Sequence, residues 1–521
     1  MDAITFAAGS LDAAIRDMQA ALGAEHVLVD QAAMADHGDP FAPPGEWYRP
    51  GAVLMPGSVE EVQAVLRIAN QHGTPVWTSS QGRNKGYGGG APRVPGTFTM
   101  SLRRMNRVLE VDEENCVALV EPGVRFFDLY DHLRSIGSKL WMSVPDLGAG
   151  SVIGNALEHG VGYTPIGDHF GHHCGMEVVL PDGDILRTGM GGMSNPHAWG
   201  VYPYACGPAW DGMFTQSNYG IVTKMGIALM PPPEVYAPGW FTLDNEEHFG
   251  AFLEALRPLM IDGTIPNQPM IINAVCAASA FWGREEWYTG TDPIPEAVID
   301  KIAQTPGFGR WVMRFALSGD EPVVRHNRAK VERVLGAIPG ANVSFEEFDG
   351  RNLPEFENPH HRVQAGIPSM ALDRMTRWYG GEEGGHIGFS CAMPISGTDG
   401  TTIRDLTRGV LNERGLDYSG VFIVSKRHMI HVALVVFDTR DEDQTRGAYA
   451  ATKAMLEPAA KLGYGEYRSH LDFMDEVAAL YDFNNNAQRR FAEKIKDCLD
   501  PNGILSPGKQ GIWPATFREN S

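Results

Sequence analysis

The chain has 521 residues, enough for two or three compact units, and we expect two. A formal charge of −21 with a pI near 5.2 excludes electrostatic attraction to nucleic acid or an anionic membrane, which leaves small molecules as partners. The six cysteines form no CxxC pair, the mean hydropathy is −0.20, and no apolar run approaches a membrane span, so reduced thiols and a cytoplasmic location are expected.

In chain order, MDAITFAAGSLDAAIRDMQAALG has no basic, apolar and cleavage regions of a signal peptide and reads as a short amphipathic helix. From Gly51 an apolar strand, a helix and a second strand form a βαβ unit. Ser58 with Glu61 makes a capping box, Val62, Val65, Leu66 and Ala69 share one face, and Gly73 ends the helix. The glycine-rich segment SSQGRNKGYGGG follows the second strand directly, so its amides are free to face an anion. It matches neither the P-loop nor the GxGxxG fingerprint, and a plain flexible turn is an equal reading. Short strands (TFTMSL, RVLEVD, CVALVEPG) and the helix RFFDLYDHLRSIG then give an α+β pattern.

Glycines are dense again from Pro145 to Met230, with a hairpin in MEVVLPDGDILRTG whose turn is Asp182–Gly183. Asp168, His169, His172, His173 and Cys174 lie close together but without a ligand register, so they read as a polar loop and no metal is expected. Three prolines at 231–233 mark a domain junction. Beyond them lies a second α+β unit, with a helix near EEHFGAFLEALRPLM, a strand HVALVVFD and a helix in QTRGAYAATKAMLEPAAKLG. The boundaries read as 1–233, 234–462 and a 463–521 segment that returns to the first domain. His386, in GEEGGHIGFS, and the pair Tyr467 and Arg468, in GYGEYRSH, combine an accessible imidazole, a phenol and a fixed cation, although each is more often structural when met alone.

The order of these pieces decides among the readings. GRNKGYGGGAPRVPG, VPDLGAGSVIGNALEHGVGYTPIGDH, GMEVVLPDGDILRTGMG, DGMFTQSNYGIVTKMGIALMP, GGHIGFS, GYGEYRSHLDFMD and DPNGILSPGKQGIWP resemble, from about Gly51 to Pro514, the vanillyl-alcohol oxidase and eugenol oxidase family, which also contains p-cresol methylhydroxylase. The resemblance implies a two-domain α+β flavoprotein, with an FAD-binding domain and a cap that supplies much of the substrate pocket.

It implies FAD held by Ser80, Gly82, Arg83, Asn84 and Gly86, by Pro145, Asp146, Leu147, Ser151, Gly154, Asn155 and Gly162, by Gly220, Ile221 and Val222, and by Arg468 and Lys509. His386 would carry the flavin covalently, where the p-cresol enzymes use a tyrosine and pass electrons to a cytochrome subunit. Tyr87, Tyr467 and Arg468 would hold a phenolic substrate as phenolate, Asp146 would act beside the reacting carbon, and Tyr163 would lie near the site. The implied activity is oxidation of the side chain of para-substituted phenols through a para-quinone methide, with molecular oxygen reduced to peroxide. A dehydrogenase with an external acceptor, or a flavin-binding protein without turnover, are the alternatives.

The chain departs from the family in two places. It reads Arg427, His428, Met429, Ile430, His431 where relatives have REMHH, and SCAMPISG after the flavin histidine, which would put Cys391 and Ala392 near the substrate pocket. The surface insertion that vanillyl-alcohol oxidase carries is missing between Met193 and Ala198, which implies a homodimer rather than an octamer.

Overall fold

The computed structural model describes residues 8–43 and 48–518, in which three sheets form. The first is built by the predicted βαβ unit. Strands Ala52–Leu54 and Val76–Ser79 run parallel on either side of Phe98–Ser101, and Val27–Leu28 closes one edge antiparallel. The helix Val59–His72 connects the first two because its chemistry is complete at both ends. Ser58 accepts from the Glu61 amide at 3.2 Å, Gly73 adopts a left-handed conformation, and Val62, Val65, Leu66 and Ala69 are buried. The Glu61 carboxylate reaches the amide of Gly57 at 2.7 Å, one residue before the cap.

The second sheet is antiparallel, in the order Val108–Asp112, Val117–Val120, Ile221–Ala228, His173–Val179, Ile185–Arg187. Its last two strands form the expected hairpin, with Gly183 at φ 89°. The prolines at 231–233 carry the chain from this sheet into a third, whose nine strands all lie between Val235 and Glu466.

Period-two alternation gives the third sheet two different faces. Ile271, Met313, Phe315, Phe389, Phe422 and Val435 point to one core, together with Phe249 and Phe252 of helix Phe249–Ile261 and Ala448 and Met455 of helix Glu442–Lys461. Each fully buried phenylalanine there contributes about 1.5–3 kcal/mol. Met270, Ile272, Val312, Val421 and Ile423 point the other way and share a core with residues of the second sheet. The functional cavity lies on that second face.

The C-terminal segment returns to the first sheet. Leu505 pairs in parallel with Val76, and buried Lys496 donates to the carbonyls of Asn218 (2.7 Å) and Leu505 (2.6 Å) while paired with Asp500. Among the described residues no helix is long and apolar enough to cross a membrane.

Candidate active site

Six stretches of chain, far apart in sequence, line one cavity of about 640 Å³. The glycine-rich loop forms its first wall because the chain must turn sharply after strand Val76–Ser79. Gly82, Gly88 and Gly89 all have φ between 62° and 97°, which a side chain resists. Ser80, Gly82, Arg83, Asn84, Gly86 and Tyr87 all border the cavity. Arg83 also pairs with Asp36 at 2.9 Å near the surface.

The second wall is the stretch from Pro145 to Tyr163. Ser151 caps the helix Val152–Leu157 by accepting from Gly154 at 2.9 Å, and a Cβ at Gly154 would collide with Ser80 Oγ. Pro145, Asp146, Leu147, Ser151, Gly154, Asn155 and Tyr163 reach the cavity. Gly162 does not. It packs beneath the wall, where a Cβ would strike Ser143 Oγ and His169 Nε2. Gly220, Ile221 and Val222 enter from the second sheet, and Lys509, paired with Glu158 at 2.8 Å, enters from the C-terminal segment.

His386 sits on strand Gly384–Pro394, on the cavity face of the large sheet. Burial lowers its pKa to about 4, so the ring is neutral and nucleophilic at neutral pH. Its Nδ1 is buried without a hydrogen-bond partner, and a Cβ at Gly86 would stand 2.6 Å from Nε2. An elongated cavity, backbone glycines facing it and an orphaned imidazole nitrogen on its wall fit an adenine dinucleotide with a ring system beside His386.

Near His386 the cavity ends in a polar cluster. Tyr87 Oη is 2.9 Å from Ser390 Oγ, and the Ser390 carbonyl accepts from the Tyr467 amide at 3.0 Å, so one serine ties the Tyr87 phenol and the Tyr467 main chain to the sheet. The Arg468 guanidinium carbon lies 5.1 Å from the Tyr87 ring and 5.8 Å from the Tyr467 ring. Arg468 Nε and Nη2 donate to the main-chain carbonyl of Glu158 at 2.9 and 2.7 Å. Burial, with Tyr467 nearby, pushes the Tyr87 hydroxyl up to about 12, so it keeps its proton as a donor. Behind Ser390 is buried Glu466, which accepts from the Ser390 amide at 3.4 Å; burial raises its pKa well above the usual carboxylate range.

A second cluster surrounds Asp146. Its Oδ2 accepts from Tyr163 Oη at 2.6 Å, and Oδ1 accepts from Arg314. Arg314 also donates to His360 Nδ1 at 2.6 Å and lies over the Tyr163 ring, 4.1 Å from its centroid. Burial and the neighbouring guanidinium hold His360 neutral, well below its usual range, so it serves as an acceptor. Sequence reasoning missed Arg314 and His360. The available signal was a lone arginine in the apolar strand WVMRFALSG, on the same face as Val312, which requires a buried partner.

One expectation is corrected. Cys391 shares its face with Ile387, Phe389 and Met393, so it faces the helices and its thiol lies away from the cavity; Ala392, six positions from His386, is on the strand's other face, paired with Ile430 and Gly465. His431 also faces the helices, between Thr407 (3.1 Å) and the Val421 carbonyl (3.0 Å). The cluster at 168–174 is a polar loop as far as His172 and then enters strand His173–Val179: His169 bonds Asn155 at 2.6 Å and His173 contacts Asp211 at 3.3 Å.

Comparison with known proteins gives a consistent set. Residues 50–189 match an FAD binding domain and residues 309–510 the C-terminal domain of FAD linked oxidases. The 4-cresol dehydrogenase [hydroxylating] flavoprotein subunit of Pseudomonas putida is 37% identical over 508 residues, covering 97% of this chain and 96% of the relative. The solved 4-ethylphenol oxidase from Gulosibacter chungangensis, in complex with isoeugenol, superimposes with a TM-score of 0.94 at 38% identity, over 99% of this chain and 100% of that one. The structure of p-cresol methylhydroxylase with substrate bound gives 0.92 at 34% identity, over 98% of both chains.

Proposed function

The chain belongs to the vanillyl-alcohol oxidase and p-cresol methylhydroxylase family of FAD-dependent oxidoreductases, and from that premise we propose that it oxidises para-substituted phenols at the side-chain carbon next to the ring. The observation that carries the reading is the convergence of Tyr87, Tyr467 and Arg468 at one end of a cavity that also holds Asp146. Ionising a phenol of pKa near 10 at pH 7 costs roughly 4 kcal/mol. Charge-assisted hydrogen bonds contribute about 1.5–3 kcal/mol each, so two phenol donors and a guanidinium suffice where one donor does not. Burial pushes the Tyr87 hydroxyl up, so Tyr87 acts as a hydrogen-bond donor in this reading.

The residues bordering the cavity from Ser80 to Gly86, from Pro145 to Asn155 and from Gly220 to Val222, with Lys509, hold FAD in this reading, and His386 carries it covalently. Gly162 supports that wall from beneath. The bound flavin supplies a hydride acceptor. The protein's part is to keep the phenolate ionised, so that ring electrons drive hydride from the benzylic or allylic carbon, and to place Asp146 beside the electron-poor quinone methide left on the substrate. Water addition gives an alcohol, alcohol substrates give the aldehyde, and loss of a proton gives an alkene.

Oxygen, reduced to hydrogen peroxide, is the electron acceptor we favour, with the protein acting as a homodimer. Residues 1–233 and 463–521 form the cofactor domain and 234–462 the cap. A second reading, with an external acceptor, is favoured by one fact: the Pseudomonas putida relative is a dehydrogenase subunit.

Mixing the yellow enzyme with 4-ethylphenol or vanillyl alcohol under nitrogen should bleach it, and air should restore the colour with release of peroxide. Bleaching that persists in air selects the external acceptor. No bleaching with either compound, or equal turnover of their methyl ethers, overturns the function. Acid-precipitated protein should stay yellow, and His386→Ala should give a colourless pellet.

A further inference from the structure

We propose that Tyr163 is the group that takes the proton from water when the oxidised substrate is hydroxylated, passing its own proton on to Asp146, with Arg314 as the positioning residue that fixes both. The inference rests on the function proposed above and assigns the water-addition step to particular atoms.

The argument starts from the hydrogen bonds of Asp146. Oδ1 is engaged by Arg314, and Oδ2 already accepts the Tyr163 hydroxyl at 2.6 Å. A carboxylate committed at both oxygens takes up a proton most directly along a bond that already exists. That bond is the one from Tyr163. The tyrosine is 3% exposed, borders the cavity, and has its main-chain carbonyl fixed by Asn267 at 3.1 Å, so its ring has little freedom. After donating to Asp146, the phenol oxygen retains lone-pair capacity toward the cavity, where water would meet the substrate carbon.

Arg314 makes the transfer feasible in both directions. Its guanidinium lies over the Tyr163 ring as well as against Asp146, so negative charge on either oxygen meets the same cation. His360 accepts another of its protons and, being neutral, adds no competing positive charge. Burial and the Asp146 carboxylate push the Tyr163 pKa well above 10, so the phenol is protonated at the start of each cycle.

The step balances as follows. Water oxygen forms a bond to the electron-poor side-chain carbon, and the exocyclic π electrons return to the ring, leaving the phenolate held by Tyr87, Tyr467 and Arg468. One water proton moves to Tyr163 Oη as the Tyr163 proton moves to Asp146 Oδ2. Asp146 releases that proton to solvent when product leaves, and the carboxylate is restored.

Tyr163→Phe keeps the ring, Asp146 and Arg314 while removing the shuttle. In rapid mixing of 4-ethylphenol with the variant under nitrogen, bleaching of the flavin and the later decay of the quinone methide are followed as separate phases, and the decay is the readout. Decay of the quinone methide absorbance should slow by roughly 100-fold, the scale of a lost general base, and product should shift from alcohol to alkene. Decay at the unaltered rate means Asp146 takes the proton directly and overturns the proposal. Absence of bleaching in the unaltered enzyme instead overturns the function itself.

Should the variant fail to fold, the unaltered enzyme still decides. The decay rate in mixtures of H2O and D2O should bow downward with deuterium fraction, as two protons in flight require. A straight line overturns the relay.

Discussion

Two polar clusters border the cavity, each built on a buried arginine, and the arginines are partnered differently. Arg468, in the first cluster, gives hydrogen bonds to a main-chain carbonyl and lies beside two tyrosines, with no carboxylate bonded to it. Arg314, in the second, is bonded to a carboxylate and a neutral imidazole. A buried cation that no carboxylate contacts directly can still take a bonded anion, whereas a directly bonded pair has no such demand. In the proposed function the first cluster recruits negative charge from a ligand, and the second handles protons without changing charge.

Substitutions in the two clusters should therefore separate binding from chemistry. The largest effect is expected in the proton-handling cluster: Asp146→Ala should lower turnover by roughly 10²–10⁴-fold, as loss of a general base does. Its flavin and its affinity for a non-reacting 4-substituted phenol should be retained. A matching fall in that affinity would erase the distinction between the clusters.

In the other cluster, Arg468→Ala should weaken binding of the same phenol by roughly 10- to 100-fold, with Tyr87→Phe toward the lower limit, from the loss of charge-assisted hydrogen bonds. The bound ligand's phenolate absorption should disappear in the arginine variant. If it persists, Arg468 is not the ionising group.

The smallest effect on turnover is expected from buried histidines elsewhere in the fold. His37 (about 4), His169 (about 3) and His431 (about 3) all have pKa values lowered by burial from 6.5. Each is neutral in the folded protein and takes a proton once unfolded. Their contribution is present above pH 6.5 and is lost as pH falls toward 4, at up to about 1.4 kcal/mol per pH unit for each. Thermal scans from pH 7 to 5 should show a falling melting temperature, and His431→Gln should make that slope shallower.

How much of this was readable beforehand depended on how local the determinant was. The helix Val59–His72 was legible to the residue because its cap, apolar face and glycine stop all lie within sixteen positions of one another. The cavity was not readable from spacing, since its walls come from segments more than four hundred residues apart, and only their order along the chain, through family resemblance, connected them. Cys391 was misplaced for a reason the sequence does contain. It stands an odd number of positions from His386 on one strand, so the pleat turns it to the opposite face. Arg314 escaped notice because its partners, Asp146 and His360, lie on other segments that the fold alone brings together.

The pairing of Leu505 with Val76 joins two distant parts of the chain into one chamber. The wall that includes Lys509 and the glycine-rich loop are separated by more than four hundred residues of sequence, so neither segment alone encloses a cofactor. Removal of residues 500–518 should consequently leave a protein that takes up added FAD far more weakly than the intact chain.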